Sequence, residues 1–381
     1  MIQHNSKLPN VGNTIFTVMG KLANEYKAIN LSQGFPNFGA DPKLLQLVEE
    51  AMKSGLNQYA PMQGIYSLRE TIAEKIEALY GKAYHPEHEI TITAGATQAI
   101  FTAITTFVST DDEVIVLKPA YDCYEPAIAL VGGKVVPLQL SGKDFKVNWS
   151  EFKSKITAKT KMVIINTPHN PSGTILSEAD MLQLAKILKD TNIMLLSDEV
   201  YEHIVFDKQS HESVAKYANL AERSLVCASF GKTFHVTGWK LGYIAGPKVL
   251  MKELQKVHQY NVFCVNHPMQ KAIAKYLKNP THYLELNNFY QEKRDYFLKA
   301  IASSRFKFKP SAGTYFQVVD YSQITDEGDV EFSKRLITEH KLASIPLSVF
   351  NIKNADYHQL RFCFAKSTET LDKAAEIINR I

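Results

Sequence analysis

A lysine that directly follows a predicted strand could take part in chemistry. Lys232 lies in the run Ser-Phe-Gly-Lys-Thr-Phe at 229–234, after an apolar strand and before a segment at 238–242 that begins and ends with glycine. A lysine on a turn of this kind is held in place instead of moving freely in solvent. Taken alone, Lys232 would more often be a solvated side chain of a surface loop, so its neighbours decide its role.

A carboxylate ends another apolar strand. Asp198 closes the run at 194–198, and open α/β sheets build their sites at such strand ends. The carboxylate could pair with a cationic ring nitrogen of a bound ligand. Tyr201 could donate a hydrogen bond to a phenolic oxygen on the same ligand ring, which would tune the pKa values of the ligand. On its own, Asp198 would more often cap a helix or join an ion pair, and Tyr201 would be half-buried packing.

A loop with two prolines follows a further apolar strand, at 166–173. Asn170 precedes Pro171, and a residue before proline is pushed out of the α region, so its amide should be directed by the loop. Asn170 could share the phenolic oxygen with Tyr201. Tyr121 follows yet another strand, where its ring could stack on a flat ligand. Alone, such an asparagine usually forms a simple turn and such a tyrosine belongs to the core.

A turn of small residues at 93–98 offers a place for a phosphate. It follows a strand and opens a helix, so the amides of Ala96 and Thr97, next to Gly95, would face an anion. Ser229 and Lys240 could complete the phosphate site from either side of the lysine turn. The turn by itself is a weak signal, because many strand-to-helix turns use small residues only for tight packing.

Strands that alternate with helices would bring these residues together. Short β-branched runs predict strands at 89–93, 113–117, 134–138, 162–166, 194–198 and 224–229. Helical spacing predicts helices at 43–54 and 68–80. Because strands and helices alternate, we expect an α/β fold with a mostly parallel central sheet.

The two ends of the chain differ from this middle region. The first forty or so residues are rich in Gly, Pro and Asn and predict an arm and loop. A long helical stretch after 242–246 breaks at 279–280 and resumes through 289–303. A final block has β-like runs at 313–320 and 360–365, a helix near 330–339 and a closing helix. We therefore expect an arm with part of a small domain at 1–45, a large domain at 46–279 and a small α+β domain at 280–381.

Composition excludes several classes of protein. The formal net charge of +4 over 381 residues, with basic and acidic residues interspersed, does not indicate a nucleic-acid surface. The four cysteines lie far apart and form neither a zinc-site spacing nor a dense disulfide framework. No segment is apolar enough for a signal peptide or a membrane span. We expect a soluble cytoplasmic protein with no bound metal and no membrane or nucleic-acid partner.

Together, these residues resemble the fold-type I pyridoxal-phosphate aminotransferases of class I and II, and the resemblance covers almost the whole chain. The matching motifs, in the order of that family, are at 33–36, 94–97, 119–121, 166–173, 198–201, 229–232, 238–242 and 360–362. Within the family, the segments at 14–16, 58–61 and 198–203 are most similar to the methionine and kynurenine aminotransferase branch.

The resemblance implies a pyridoxal 5'-phosphate cofactor and a role for each residue named above. Lys232 would carry the cofactor as a Schiff base and move a proton, and Asp198 would contact the pyridinium nitrogen. Tyr201 and Asn170 would bind the phenolic oxygen, and Tyr121 would stack on the ring. The phosphate would be held by Gly95, Ala96, Thr97, Ser229 and Lys240. Many relatives have serine where Gly231 lies and arginine where Lys240 lies; both changes are compatible with phosphate binding.

The resemblance also implies how substrate is held. Arg361 would pair with the substrate α-carboxylate through its planar fork, assisted by Gly34 and Asn170. Without the family context, a structural ion pair of Arg361 would be equally expected. Phe16, Tyr59 and Phe263 are candidate apolar walls, although each could be simple core. The family forms homodimers in which the residue matching Tyr59 reaches the phosphate of the partner subunit.

The implied reaction is a ping-pong transfer of an amino group from an amino acid to a 2-oxo acid. No second arginine falls in a segment that we can assign to the pocket, which favours neutral apolar or aromatic donors such as methionine, with kynurenine a candidate. One alternative on the same fold is a β-lyase that acts on cysteine S-conjugates. A non-catalytic cofactor-binding sensor is another, although no additional DNA-binding domain is present. A nucleotide-binding dehydrogenase is disfavoured, because no G-x-G-x-x-G follows a predicted strand.

Overall fold

The fold is taken from a computed structural model that describes residues 5–142 and 144–381. The first four residues of the predicted N-terminal arm lie outside the described residues. The strands are β1 Ile29–Asn30, β2 Ile90–Thr93, β3 Glu113–Lys118, β4 Lys134–Gln139, β5 Thr160–Asn166, β6 Met194–Asp198, β7 Ser224–Ser229, β8 Gly242–Ala245, β9 Phe316–Asp320, β10 Leu342–Ala343, β11 Ile345–Pro346 and β12 Gln359–Cys363.

Helices separate most of these strands. They are α1 Ile15–Glu25, α2 Pro42–Lys53, α3 Tyr66–Tyr80, α4 Gly95–Phe107, α5 Tyr124–Leu130, α6 Trp149–Ser154, α7 Glu178–Leu188, α8 Ala218–Ala221, α9 Phe230–Thr233, α10 Lys248–Asn261, α11 His267–Tyr276, α12 Thr281–Leu284, α13 Leu286–Ala300, α14 Asp329–Thr338 and α15 Thr368–Ile378. Short 3-10 turns lie at Val214–Lys216, Thr237–Trp239, Ser348–Phe350 and Ile352–Asn354.

A large sheet forms the centre of the fold, in the strand order β2-β8-β7-β6-β5-β3-β4. Strands β3 to β7 pair in parallel, while β8 runs antiparallel to both of its neighbours. Strand β6 is buried along its whole length, which is typical of a parallel strand covered by helices on both faces. The predicted α/β fold with a mostly parallel central sheet is therefore confirmed.

A smaller antiparallel sheet, in the order β11-β12-β9, lies in the C-terminal part of the chain. Strand β1 near the N-terminus pairs in parallel with β10, so the two ends of the chain are joined by backbone hydrogen bonds. Helix α14 packs beside β10 and β11. This arrangement positions the N-terminal segment after β1 next to β12.

The prediction of an arm and loop over the first forty residues is wrong between Ile15 and Glu25. This segment is helix α1, whose first turn is capped by the Thr14 side chain, which accepts a hydrogen bond from the backbone N–H of Thr17. Its buried residues, Met19 and Ala23, pack in a cluster with residues of the C-terminal block. Gly34 and Pro36, on which the loop prediction rested, lie after β1. The helix before them is stabilised by these distant contacts.

The long helical stretch after β8 also breaks between α10 and α11, which the sequence did not predict. Helix α10 ends at Asn261, and α11 begins at His267 with Pro268 in its first turn and the side chain of Asn266 as its cap. Phe263 in the break has a positive φ of 68°. The predicted break at 279–280 is also present, between α11 and α12. Among the described residues, no helix is long and apolar enough to cross a membrane.

Candidate active site

A cavity of about 710 Å³, partly open to solvent, lies at the carboxyl ends of β5, β6 and β7. The structure brings together here all the residues that the sequence assigned to a cofactor from the same chain: Gly95, Ala96, Thr97, Tyr121, Asn170, Asp198, Tyr201, Ser229, Lys232 and Lys240. Parallel strands place their carboxyl ends at one edge of the sheet, which explains why these separate segments meet.

Lys232 lies on the single-turn helix α9, directly after β7. Its Nζ donates hydrogen bonds to the backbone carbonyl of Gly34 and to the hydroxyl of Tyr315, each at 3.0 Å. Burial lowers the pKa of the Lys232 amine to about 8 because the charged form is poorly solvated. An amine with this pKa can both accept and return a proton near neutral pH.

Asp198 is the last residue of β6 and is buried. Its carboxylate accepts a 2.6 Å hydrogen bond from the hydroxyl of Tyr124 and a longer one from the backbone N–H of Val200. Burial raises the pKa of Asp198 to about 6. Among the described residues, no lysine or arginine lies within ion-pair distance of this carboxylate. A cationic group of a bound ligand could therefore compensate the negative charge of Asp198.

Asn170 is held by contacts at both its backbone and its side chain. Its N–H donates to the side-chain oxygen of Asn166 at 2.7 Å, and its own side-chain oxygen accepts from Arg361 at 2.6 Å. Tyr201 is buried on the loop after β6, and Tyr121 faces the cavity from the loop after β3. The two aromatic rings and the amide therefore line one cavity with directed polar atoms.

The N-terminus of helix α4 lies beside Lys240 and could hold an anion. The helix begins at Gly95 and has no acidic residue in its first turn. A Cβ at Gly95 would lie 3.5 Å from the Nζ of Lys240, so the amine is close to the free N–H groups of this turn. The positive end of the helix dipole and the lysine charge act on the same place, which suits a phosphate. Ser229 lines the same end of the cavity.

Arg361 on β12 is a buried guanidinium without an anionic partner among the described residues. It donates to the side-chain oxygen of Asn170 and, at 3.0 Å, to the backbone carbonyl of Ser32, while its Nε has no hydrogen-bond partner in residues 5–142 and 144–381. Its Cζ lies 3.8 Å from the ring centroid of Phe316 and 5.2 Å from that of Phe16. An unpaired buried guanidinium between aromatic rings suits a planar carboxylate.

The remaining predicted residues fall into two places. Gly34 contacts Lys232 through its carbonyl, and a Cβ at this position would come within 2.7 Å of the Phe316 ring. Tyr59 and Phe263 lie together outside the cavity, with ring centroids 5.2 Å apart, and Tyr59 is 80 % exposed. The chain's own fold therefore does not bring Tyr59 and Phe263 into the cavity that holds Lys232.

Three polar side chains at the site were not found from the sequence. Tyr124 binds Asp198, Tyr315 binds Lys232, and the side-chain amide of Asn166 donates to the backbone carbonyl of Asp198 at 2.8 Å. Tyr124 lies three residues after Tyr121 and could have been suspected from that spacing. No local signal marks Tyr315, which lies inside a β-like run.

Comparisons with known proteins agree with this geometry. The sequence profile of the family "Aminotransferase class I and II" matches residues 26–378. The methionine aminotransferase of Escherichia coli (strain K12) is 48% identical over 99% of this chain and 98% of its own length, and kynurenine–oxoglutarate transaminase 1 of Rattus norvegicus is 32% identical over 98% and 97%. A crystal structure of an Escherichia coli protein with a methionine aminotransferase function aligns over 100% of both chains, with a TM-score of 0.98 and 47% identity.

Proposed function

The chain belongs to the class I and II aminotransferases, and from this premise we propose that it is a pyridoxal-phosphate enzyme that prefers neutral donors. The donors are methionine and aromatic amino acids, with kynurenine a further candidate, and the acceptor is a 2-oxo acid. The proposal rests on the buried Arg361, which lies between Phe16 and Phe316. Its guanidinium donates a hydrogen bond to Asn170, which lines the cavity that holds Lys232. The guanidinium of Arg361 suits a carboxylate, and the rings of Phe16 and Phe316 suit an uncharged side chain.

The residues of the cavity fit the cofactor. The N-terminus of α4, Ser229 and Lys240 would hold its phosphate. For its ring nitrogen, Asp198 offers a buried carboxylate that forms no ion pair within the described part of the chain. Tyr201 and Asn170 would bind its phenolic oxygen. When bound, the cofactor supplies an electron sink for the bond that is broken at the substrate α-carbon.

The chain's own groups orient the substrate and move a proton. Arg361 binds the substrate carboxylate and so directs the α-carbon toward Lys232. The Lys232 amine, whose pKa is about 8, would take a proton from the α-carbon of the substrate and would give it up to a carbon of the bound cofactor. Asp198 would keep the ring nitrogen of the bound cofactor protonated, because its carboxylate is buried and forms no ion pair with a lysine or arginine among the described residues.

The positions of the other arginines support the preference for neutral donors. A dedicated aspartate enzyme needs a second cation for the side-chain carboxylate, since a buried unpaired carboxylate is strongly disfavoured. Arg69 pairs with Glu87, and Arg294 pairs with Asp207. Arg223 donates to the backbone carbonyls of Thr191 and Ile193, and Arg335 pairs with Glu327. The remaining two, Arg305 and Arg380, are exposed. The names of two similar proteins, a methionine aminotransferase and a kynurenine–oxoglutarate transaminase, agree with this preference.

We also propose a homodimer, in which Tyr59 of each subunit reaches the phosphate of the other. Its support is the exposed aromatic pair of Tyr59 and Phe263, which has no packing partner large enough to cover it in the described part of one subunit. Tyr260 nearby on α10 is 90 % exposed. Sedimentation of the loaded enzyme tests this proposal, and a monomer that retains full activity would contradict it.

A side-by-side kinetic comparison tests the substrate preference. Methionine, phenylalanine, tyrosine, kynurenine and aspartate are each assayed with a panel of 2-oxo acids, and kcat/KM is compared. We expect methionine and the aromatic donors to exceed aspartate by about 100-fold or more, since an unpaired charge costs several kcal/mol in a buried site. Aspartate as the best donor would refute the proposal.

A further inference from the structure

Tyr315, to which no role has been assigned above, is the side chain that holds Lys232. It is fully buried, and its hydroxyl lies 3.0 Å from the Nζ of Lys232 and 2.7 Å from the carbonyl oxygen of Gly34. The Nζ of Lys232 is itself 3.0 Å from the same carbonyl. The three polar atoms therefore form a closed triangle in which each contacts both of the others.

The direction of each hydrogen bond in this triangle is determined by its chemistry. The Gly34 carbonyl can only accept, so the Tyr315 hydroxyl donates its one proton to it. The lone pairs of the hydroxyl are then left to accept from Lys232. Both neighbours of the Lys232 amine are acceptors, and acceptors favour its charged form. Their effect opposes the burial that favours the neutral form.

The backbone and packing around Tyr315 leave its hydroxyl in one place. Its ring contacts the rings of Tyr201, Tyr290 and Phe316, with centroids 5.2, 5.6 and 4.9 Å away. The preceding residue, Thr314, donates its backbone N–H to the carbonyl of Ile204, which follows the loop that carries Tyr201. Tyr315 is thus attached to the segment that lines the cavity on the side of β6.

We propose that Tyr315 is a positioning residue, whose hydroxyl holds the free amine of Lys232 next to Gly34 and stabilises its charged form. This inference rests on the proposed function, because it takes Lys232 as the lysine that binds the cofactor and moves the proton. Tyr315 acts through Lys232 and does not line the cavity itself. Its loss would leave the lysine in the site with one partner, Gly34, and with more freedom to move.

The test compares two tyrosine-to-phenylalanine variants in cofactor-free protein. Tyr315→Phe keeps the ring contacts and removes the hydroxyl, and the Gly34 carbonyl keeps its bond from Lys232, so the variant should fold. Tyr290→Phe is the matched control, since the buried Tyr290 hydroxyl has no hydrogen-bond partner in the described part of the chain and its ring neighbours that of Tyr315. The rate at which cyanate modifies Lys232 is followed against pH by peptide mass spectrometry.

We expect the midpoint of this pH profile to fall by about one pH unit in Tyr315→Phe, a tenfold loss of proton affinity, because one acceptor of the charged amine is lost. Tyr290→Phe should match the unsubstituted protein. In the loaded enzyme, kcat for methionine should fall about tenfold in Tyr315→Phe with KM little changed, because the contacts of Arg361 are intact. An unshifted midpoint in Tyr315→Phe, or an equal shift in both variants, would overturn the proposal.

A second experiment tests the role of Lys232 independently of Tyr315. Borohydride reduction of the loaded, unsubstituted protein attaches the cofactor covalently to the lysine that holds it, and peptide mapping identifies that lysine. A label on another lysine would refute the role of Lys232 whatever the Tyr315 variant does. A label on Lys232 together with an unshifted profile would refute the role of Tyr315 alone.

Discussion

The hydroxyl of Tyr124 donates a 2.6 Å hydrogen bond to the carboxylate of Asp198, although 74 residues separate the two in the chain. The hydrogen bond favours the charged carboxylate, while burial favours the neutral acid. Burial is the larger effect and raises the pKa of Asp198 to about 6. The cofactor-free protein therefore carries a carboxyl group whose ionisation costs stability, and this group is the one that a cationic ring nitrogen would compensate.

The stability of an Asp198→Asn variant should depend on pH. A carboxyl group whose pKa is raised in the folded protein, here from 3.8 to about 6, contributes its full stability at low pH and loses it as the pH rises through about 6. Asparagine lacks this loss. The free energy of unfolding is compared between cofactor-free Asp198→Asn and wild type at each pH. The difference should shift by about 2–3 kcal/mol in favour of the variant between about pH 4 and about pH 7.5. Urea unfolding at both pH values measures this, and a pH-independent difference would contradict it.

Replacement of Asp198 should also slow catalysis. We expect Asp198→Ala to keep part of its cofactor, because the phosphate site at α4 and Lys240 is unchanged. Its transamination rate should fall by about 100-fold or more, since an unprotonated ring nitrogen is a poor electron sink. Cofactor content and single-turnover rates are measured on one preparation. Near-normal turnover would show that another group protonates the ring.

Lys232→Ala should lose the visible absorbance of the bound cofactor and nearly all turnover. No other lysine among the described residues lies in the cavity except Lys240, which is at the phosphate end. Lys240→Ala is therefore the matched control, and it should keep the absorbance of the lysine-bound cofactor while binding the cofactor about tenfold more weakly, because a charge contact to the phosphate is lost. A wild-type spectrum in Lys232→Ala would refute the assignment.

Arg361→Ala should lower kcat/KM for methionine by about 100- to 1000-fold, because it removes a charge-assisted carboxylate contact in a buried site. Arg361→Lys should recover only part of this loss, since an ammonium group cannot form the two-pronged contact. The control is Arg335→Ala, whose partner Glu327 lies far along the chain from the cavity residues. Steady-state kinetics with methionine compares the three variants, and an unchanged kcat/KM in Arg361→Ala would be decisive against the assignment.

A buried ion pair outside the cavity should stabilise the loop that carries Tyr201. The Nζ of Lys75 on α3 lies 2.5 Å from the carboxylate of Glu202, and both side chains are almost fully buried. Lys75→Met would leave this carboxylate without its cation and should lower the free energy of unfolding by about 3–5 kcal/mol. The exposed pair Lys53–Glu49, also 2.5 Å apart, provides the control. Urea unfolding of Lys53→Met should show no measurable change.

The strands next to the site could be predicted from local sequence. The structure gives β6 and β7 the bounds that were predicted, 194–198 and 224–229. The limits of a short apolar run with β-branched residues predict where a strand begins and ends. The carboxyl ends of parallel strands share one edge of the sheet. For this reason Asp198 and Lys232 could be assigned to one cavity before any tertiary contact was known.

Helix α1 was missed because its stability is not local. Of its six apolar side chains only Met19 and Ala23 are fully buried, and the segment is followed by a region rich in Gly, Pro and Asn. What stabilises the helix is packing against residues near 337–350, more than three hundred positions away in the chain. A short helix of this kind depends on tertiary contacts more than on propensity.

The sequence by itself determined the fold class, the strand ends and which residue types lie at them, because these follow from the spacing of apolar side chains over a few residues. Only the tertiary structure decided which side chains meet. Tyr124 and Tyr315 lie 74 and 83 residues from the groups that they bind. Only its spacing to Tyr121 marks Tyr124, and nothing local distinguishes Tyr315 among the 18 tyrosines. The packing of β12 against the N-terminal segment likewise decides that Arg361 is buried without an anionic partner among the described residues. A hydrogen bond or an unpaired charge depends on atoms placed by elements far apart in the chain, and no local pattern encodes that position.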